Sequence, residues 1–160
     1  MNESVITAPL RSLTVAALFR TASEPRPSGS GHGRFRNLAL AFRAVCELIR
    51  YDAIVRLCGS GRVLRRLRLQ STAEKPTSPE AERAICDAVL LATCFYWKPV
   101  LCLQRAVCTV RLLRKRGVAA RLVIGYRPSP FFSHAWVEVD GRVVYGSPAY
   151  RQRLQLLHVA

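Results

Sequence analysis

The chain has almost no lysine. Three lysines stand beside 22 arginines, and ten acidic residues leave a formal net charge of +15 over 160 residues. An arginine bias of this kind follows from a GC-rich coding sequence as readily as from a function. Basicity alone therefore leaves nucleic acid, anionic membrane and acidic protein partners open. Long apolar runs are missing too: arginine interrupts each one well short of the ~18–20 residues of a membrane-spanning helix. Neither G-x-x-x-x-G-K-[ST] nor G-x-G-x-x-G occurs, which removes the common nucleotide-binding loops. The six cysteines, at 46, 58, 86, 94, 102 and 108, contain no C-x-x-C pair. Zinc ribbons, thioredoxin-like redox sites and iron–sulfur ligation do not fit that spacing, and no metal or cofactor is expected. The N-terminus lacks a basic region followed by a clean apolar stretch and a cleavage site. A reducing cytoplasm with free thiols is the expected setting.

What remains is half hydrophobic, enough for one packed domain of ordinary size. Residues 21–33 (TASEPRPSGSGHG) read as a Ser/Pro/Gly linker, so residues 1–33 form a loosely attached extension and 34–160 the folded domain. Within that domain, 34–70 is a basic helical subregion and 79–160 the core. Phe35, Leu38, Phe42, Val45 and Ile49 recur at helical spacing and predict one apolar face of a helix over about 35–57. Gly59-Ser60-Gly61 stops it, and a basic piece, RVLRRLRL, follows over 62–69. Thr77, Pro79 and Glu80 predict a capping box opening a helix to about Trp97. Another helix spans about 101–116, closed by Arg114, Lys115, Arg116 and Gly117. The period then becomes strand-like over 121–126, 134–139 and 142–145, with Asp140-Gly141 as a two-residue hairpin turn. Helices followed by an antiparallel sheet give an α+β fold.

One cysteine stands apart from the others. Cys102 falls at the start of the 101–116 helix, where the positive end of the dipole and unpaired N–H groups favour a nucleophilic thiolate. His134 opens a strand that follows that helix. A helix-start cysteine with a strand-start histidine is the layout of papain-like and transglutaminase-like cysteine enzymes. The other cysteines are expected to be small buried hydrophobes, with Cys86 and Cys94 sharing a helix face and Cys108 turned away from Cys102. His32 and His158 are expected at the surface.

The run CLQRAVCTVRLLRKRGVAARLVIGY followed by SHAWVEVDGRVVY resembles the leader peptidases of lasso-peptide biosynthesis, the B proteins, within the transglutaminase-like superfamily. The resemblance covers about 79–160 well and 35–70 loosely. It implies a transglutaminase-like, papain-like core in which a small antiparallel sheet packs on the catalytic helix. It implies Cys102 as nucleophile and His134 as general base and acid, cutting the amide that joins a leader to its core peptide. Trp97 is a candidate for the oxyanion pocket, and Phe131 and Phe132, in a Pro-flanked loop beside the strand, for the substrate groove.

The resemblance has one departure. The family's acid, about a dozen positions after the histidine, is replaced here by Gly146. Glu138 and Asp140 lie roughly 13 and 20 Å along His134's own strand, too far to orient the imidazole. Pairing Val139 with Arg142 across the turn sets His134 opposite Ser147, whose hydroxyl is the candidate orienting group; Asp87 is a remote one. A Cys–His dyad and a catalytically impaired scaffold both follow as readings.

The resemblance also implies partners: a precursor peptide as substrate, a macrolactam synthetase resembling asparagine synthetase, and a leader-recognition (RRE) domain. Residues 1–78 show no run of three strands, so that recognition domain is expected as a separate protein. Transfer of the acyl group to an amine, as an acyl transferase or amidase, is the alternative activity. Nucleic-acid binding is not expected, because the Arg50–Arg68 stretch lacks aromatic interleaving. That stretch is expected instead to dock a partner protein or an anionic membrane.

Overall fold

The computed structural model describes residues 31–70 and 78–160; the expectations for 1–30, and the Thr77 cap, lie outside them, and residues 31–33, expected in the linker, are helical instead. Helices α1 (Gly31–Cys58), α2 (Ser60–Leu69), α3 (Pro79–Cys94) and α4 (Cys102–Arg114) precede strands β1 (Ala120–Arg127), β2 (Phe132–Val139) and β3 (Arg142–Tyr145). A short helix α5 (Pro148–Arg153) and a strand β4 (Gln155–Val159) close the chain, and neither was foreseen from the sequence. The strands form one antiparallel sheet in the order β3-β2-β1-β4. The fold is α+β.

The boundaries follow local chemistry. Gly59, at φ 75°, is a left-handed break between α1 and α2. Ser78 caps α3 by accepting from the Ala81 N–H at 3.3 Å, with Pro79 in the first turn. α3 ends at Cys94 rather than near Trp97; beyond it the Tyr96 and Lys98 side chains reach Asp52 of α1. Asp140, at φ 49°, and Gly141, at φ 73°, make the expected hairpin turn.

α4 sits at the centre. Its residues Ala106, Val107, Cys108, Val110 and Leu113 are buried against Leu48 of α1, Ile85 and Val89 of α3, and the inner sheet face of Ala120, Leu122, Ala135 and Val137. The opposite sheet face holds a smaller cluster in which Trp136, fully buried, packs on Val123 and Leu154 beside Tyr150 of α5. Burying a tryptophan on the second face requires α5 and the turn into β4 as a cover.

α1 departs from its periodicity. Leu38 and Phe42 are 65% and 70% exposed, and Ile49 is exposed as well. The buried face is Leu40, Ala41, Ala44, Glu47 and Leu48. Small alanines let α1 approach its neighbours closely, and Glu47 enters because Arg111 (2.8 Å) and Lys115 neutralise it. Burial opposes the ionisation of Glu47, but those two cations outweigh it and hold its carboxyl below the ordinary value. The cysteine expectation holds for Cys108, which is buried, and fails for Cys46 and Cys94, which are exposed. His158 is likewise drawn in, pairing with Ile124 in β4 while its Nδ1 meets Arg68 Nη2 at 2.8 Å.

Gly125 is required by Trp136. A Cβ there would lie 2.8 Å from the indole Cη2 and 2.9 Å from the Leu154 Cβ. Gly125→Ala is expected to destabilise the domain by about 1–3 kcal/mol through overpacking, read by denaturant unfolding; a neutral result would mean that the indole shifts freely.

Candidate active site

Cys102 is the first residue of α4, and the residue before it, Leu101, provides no side-chain cap. The opening N–H groups of the helix therefore keep no partner from a capping side chain. The segment leading into Cys102 is instead tied down by one carboxylate, Asp52 of α1. Asp52 accepts from the Tyr96 hydroxyl at 2.7 Å and from Gln104 Nε2 at 3.1 Å, and it pairs with Lys98 Nζ at 2.8 Å. Gln104 also reaches the Leu48 carbonyl at 3.4 Å. These contacts bracket Cys102 on both sides. Burial opposes the ionisation of Asp52, but the bonds from Lys98, Tyr96 and Gln104 prevail and lower its pKa. Sequence reasoning missed this hub, since Asp52 lies 44 residues from Tyr96. Its one available signal was an acid standing within an arginine-rich helix.

Chain geometry brings His134 to the same level as Cys102. Arg114 Nε bonds the Ala120 carbonyl at 2.8 Å, which joins the end of α4 to the start of β1. Running back along the 13 residues of α4 covers about 18 Å at ~1.5 Å each. A strand climbs that height in about five residues at ~3.4 Å each, which leads from Ala120 to Gly125. Gly125 pairs with His134. The two residues nominated by the sequence thus share one end of the α4–sheet layer.

They pack on different sides of the sheet. Strand alternation puts His134 on the Trp136 side of the sheet, where its ring lies 4.3 Å from that of Tyr150, tilted by 37°. Cys102 packs against the inner core. No hydrogen bond joins them among the described residues. The β3 ladder stops at Tyr145, opposite Val137, so β2 has an open edge, with no strand partner on that side, beside His134. Burial lowers the His134 pKa, and the Arg105 charge, one turn beyond Cys102, lowers it further.

The remaining candidates are placed as follows. A register shift between Val137 and Glu138 breaks the count that set Ser147 opposite His134. Ser147 instead caps α5, accepting from the Ala149 N–H at 3.4 Å. Gly146 has φ 114°, and a Cβ there would lie 3.0 Å from the Trp136 Cβ, so the position disfavours any side chain. Trp97 is 69% exposed and stacks on Tyr96 with ring centroids 4.0 Å apart. Phe132 flanks His134 at 6.2 Å and Tyr150 at 6.1 Å, while Phe131 points to solvent. Asp87 is away from His134, in the wall of a groove of about 660 Å³ that also contains Asn37 of α1. Cys86 donates to the Val144 carbonyl at 3.5 Å, and burial pushes its thiol, like that of Cys108, up to about 12. Both thiols are therefore held protonated and inert.

The family model of the transglutaminase-like superfamily matches residues 45–159. The chain belongs to the transglutaminase-like superfamily. Over 56 residues it is 43% identical to the microcin J25-processing protein McjB of Escherichia coli; the match takes in 35% of this chain and 27% of that protein. The chain thus matches about a quarter of this curated relative's length. No solved structure matches. The transglutaminase-like match begins inside α1 and so includes Asp52 together with Cys102, His134 and the whole sheet. No described helix is long and apolar enough to cross a membrane.

Asp52→Ala is expected to free the 95–101 segment, read as faster amide hydrogen exchange there while α3 stays protected. The folded-state pKa of Asp52 is depressed, so its stabilisation is present above the ordinary carboxylate range and is lost as pH falls through the lowered value. Segment protection independent of acidification would contradict the tether.

Proposed function

We propose that this transglutaminase-like protein is a cysteine endopeptidase that removes the leader from a ribosomally made lasso-peptide precursor. The observation that carries the reading is the shared level of Cys102 and His134 at one end of α4 and the sheet, within a family match spanning both. The similarity to a microcin-processing protein supports the substrate class.

The chemistry follows from these groups. His134 takes the thiol proton, and Cys102 Sγ attacks the scissile carbonyl carbon. The uncapped N–H groups opening α4 are positioned to receive the charge that develops on oxygen. Imidazolium returns the proton to the departing amine as the C–N bond breaks. Water then hydrolyses the thioester, giving a carboxylate and a regenerated thiol. Closing the pair requires the imidazole to leave Tyr150 and turn past the open edge of β2. The exposed Phe131 and the half-covered Phe132 beside it are suited to an apolar segment of substrate. Trp97 is suited to the Cys102 side of the pocket. Gly146 supplies no acid and Ser147 is engaged elsewhere, so the site works as a dyad.

In this reading the protein acts with a separate leader-recognition protein, and a macrolactam synthetase uses the amine it frees. α2 supports a docking role for the arginine stretch: Val63 and Leu67 are buried while Arg62, Arg65, Arg66 and Arg68 face outward. The missing thiol–imidazole bond and the glycine at 146 favour a second reading, an impaired scaffold of the maturation complex.

Cys102→Ala is expected to abolish precursor cleavage followed by mass spectrometry, whereas Cys46→Ser and Cys94→Ser keep it. His134→Ala is expected to slow cleavage by roughly 10²–10⁴-fold. Because burial and Arg105 hold the imidazole neutral, cleavage should persist below pH 6.5 and fall only on further acidification. Equal loss in all three cysteine variants would remove Cys102 as nucleophile. A wild-type protein that binds precursor yet never cuts it would favour the scaffold.

A further inference from the structure

The seven described acids divide cleanly. Glu47, Asp52, Glu82 and Glu138 are covered and ion-paired, with Arg111 and Lys115, with Lys98, with Arg142 and with Arg151 respectively. Glu80, Asp87 and Asp140 are exposed and pair with nothing among the described residues. Arg105 receives no carboxylate from any of them. Its Nε is nevertheless buried and without a hydrogen-bond partner. The residue as a whole is half-buried; a guanidinium nitrogen withdrawn from water and left without an acceptor is costly, and the cost is offset when an anion arrives.

The position of Arg105 is informative. It stands one helical turn beyond Cys102, on the same side of α4. Its charge acts on the Tyr145 hydroxyl at the end of β3, opposing the rise that burial causes. It also acts on His134. Arg105 is thus a half-buried cation one turn from Cys102, with a nitrogen that no acceptor satisfies, in a site that lacks the orienting acid. A cation in this place cannot orient an imidazole by accepting its N–H, but it can hold a carboxylate in a bidentate fork.

We propose that Arg105 anchors the peptide substrate by binding a carboxylate carried by that peptide beside the scissile bond. The inference rests on Cys102 being the nucleophile and adds the substrate chemistry that the site selects. It makes Arg105 a specificity residue, joined to a carboxylate only when substrate is bound, and it explains why a chain so rich in arginine leaves this one without an internal acid among the described residues.

Iodoacetate and iodoacetamide test this, since they alkylate the same sulfur and differ in a carboxylate. Rates at each cysteine of the full-length protein are read by peptide mass spectrometry. In Arg105→Gln the iodoacetate-to-iodoacetamide rate ratio at Cys102 is expected to fall about tenfold, the scale of one charge-assisted hydrogen bond. Arg105→Lys should retain most of the ratio, and exposed Cys94 should keep its own ratio throughout. An unchanged ratio at Cys102 in Arg105→Gln overturns the inference and leaves the peptidase reading standing. Failure of Cys102 to react with either reagent, while Cys94 reacts, overturns both.

Protection of the wild-type protein needs no variant. N-acetylaspartic acid α-amide and N-acetylglycine are each added during alkylation by iodoacetamide, with neutral N-acetylglycinamide as the comparison. Slowing by the aspartate compound assigns an acidic side chain, and slowing by N-acetylglycine alone assigns the new C-terminus; either supports a carboxylate site. Equal effects from all three, or none from any, overturn it.

Discussion

The burial of α4 between the sheet and the outer helices is the constraint on which the rest depends. From Ala106 to Leu113 every residue of that helix is buried. Polar groups can enter this layer only with partners. Thr109 bonds the Arg105 carbonyl at 3.0 Å, and Arg111 meets Glu47. A helix held so tightly has a fixed axial position. Its first residue is then fixed as well, so a reactive group placed there is presented at a defined height above the sheet.

Asp52 adds the fine adjustment. The helix start has an apolar cap residue, which on its own does little to hold the approaching chain. One carboxylate from a distant helix supplies what local capping does not, by gathering Tyr96, Lys98 and Gln104. Two of its partners precede Cys102 and one follows it. The arrangement makes the approach segment part of the support of Cys102, while no side chain caps the opening N–H groups of α4.

Charge in this protein has several roles. Net charge alone suggests a polyanion partner. The structure separates the arginines into groups with different physics. Arg111 and Arg142 satisfy covered acids, Arg114 bonds backbone carbonyls at Ala120 and Leu67, and the arginines of α2 face water. Arg105 belongs to none of these groups. It is set apart by its buried, unpartnered nitrogen rather than by its count in the composition.

The sequence by itself determined the element order from α1 to β3, the hairpin turn and the two residues worth testing. Those features are encoded locally: Asp140-Gly141 dictates a turn, and alternation over 134–139 dictates a strand. Cys102 and His134 stood out as candidates because Cys102 opens α4 and His134 lies near the start of β2, boundaries that periodicity locates to within a residue or two. The exposed stripe of Leu38, Phe42 and Ile49 was misread, since a repeat of apolar residues does not say which face of a long helix meets its neighbours. Ala41, Ala44 and a neutralised Glu47 won that face by close packing and pairing. The place of Ser147 was decided by a bulge that shifts the register by one residue, invisible to a count along the chain. Tertiary structure alone decided that Asp52 holds the approach to Cys102, that Trp136 claims the space beside Gly125 and Gly146, and that Arg105 is left without an acid. All three are relations between residues far apart in sequence, where spacing carries no information and only the packing of α4 on the sheet sets the distances.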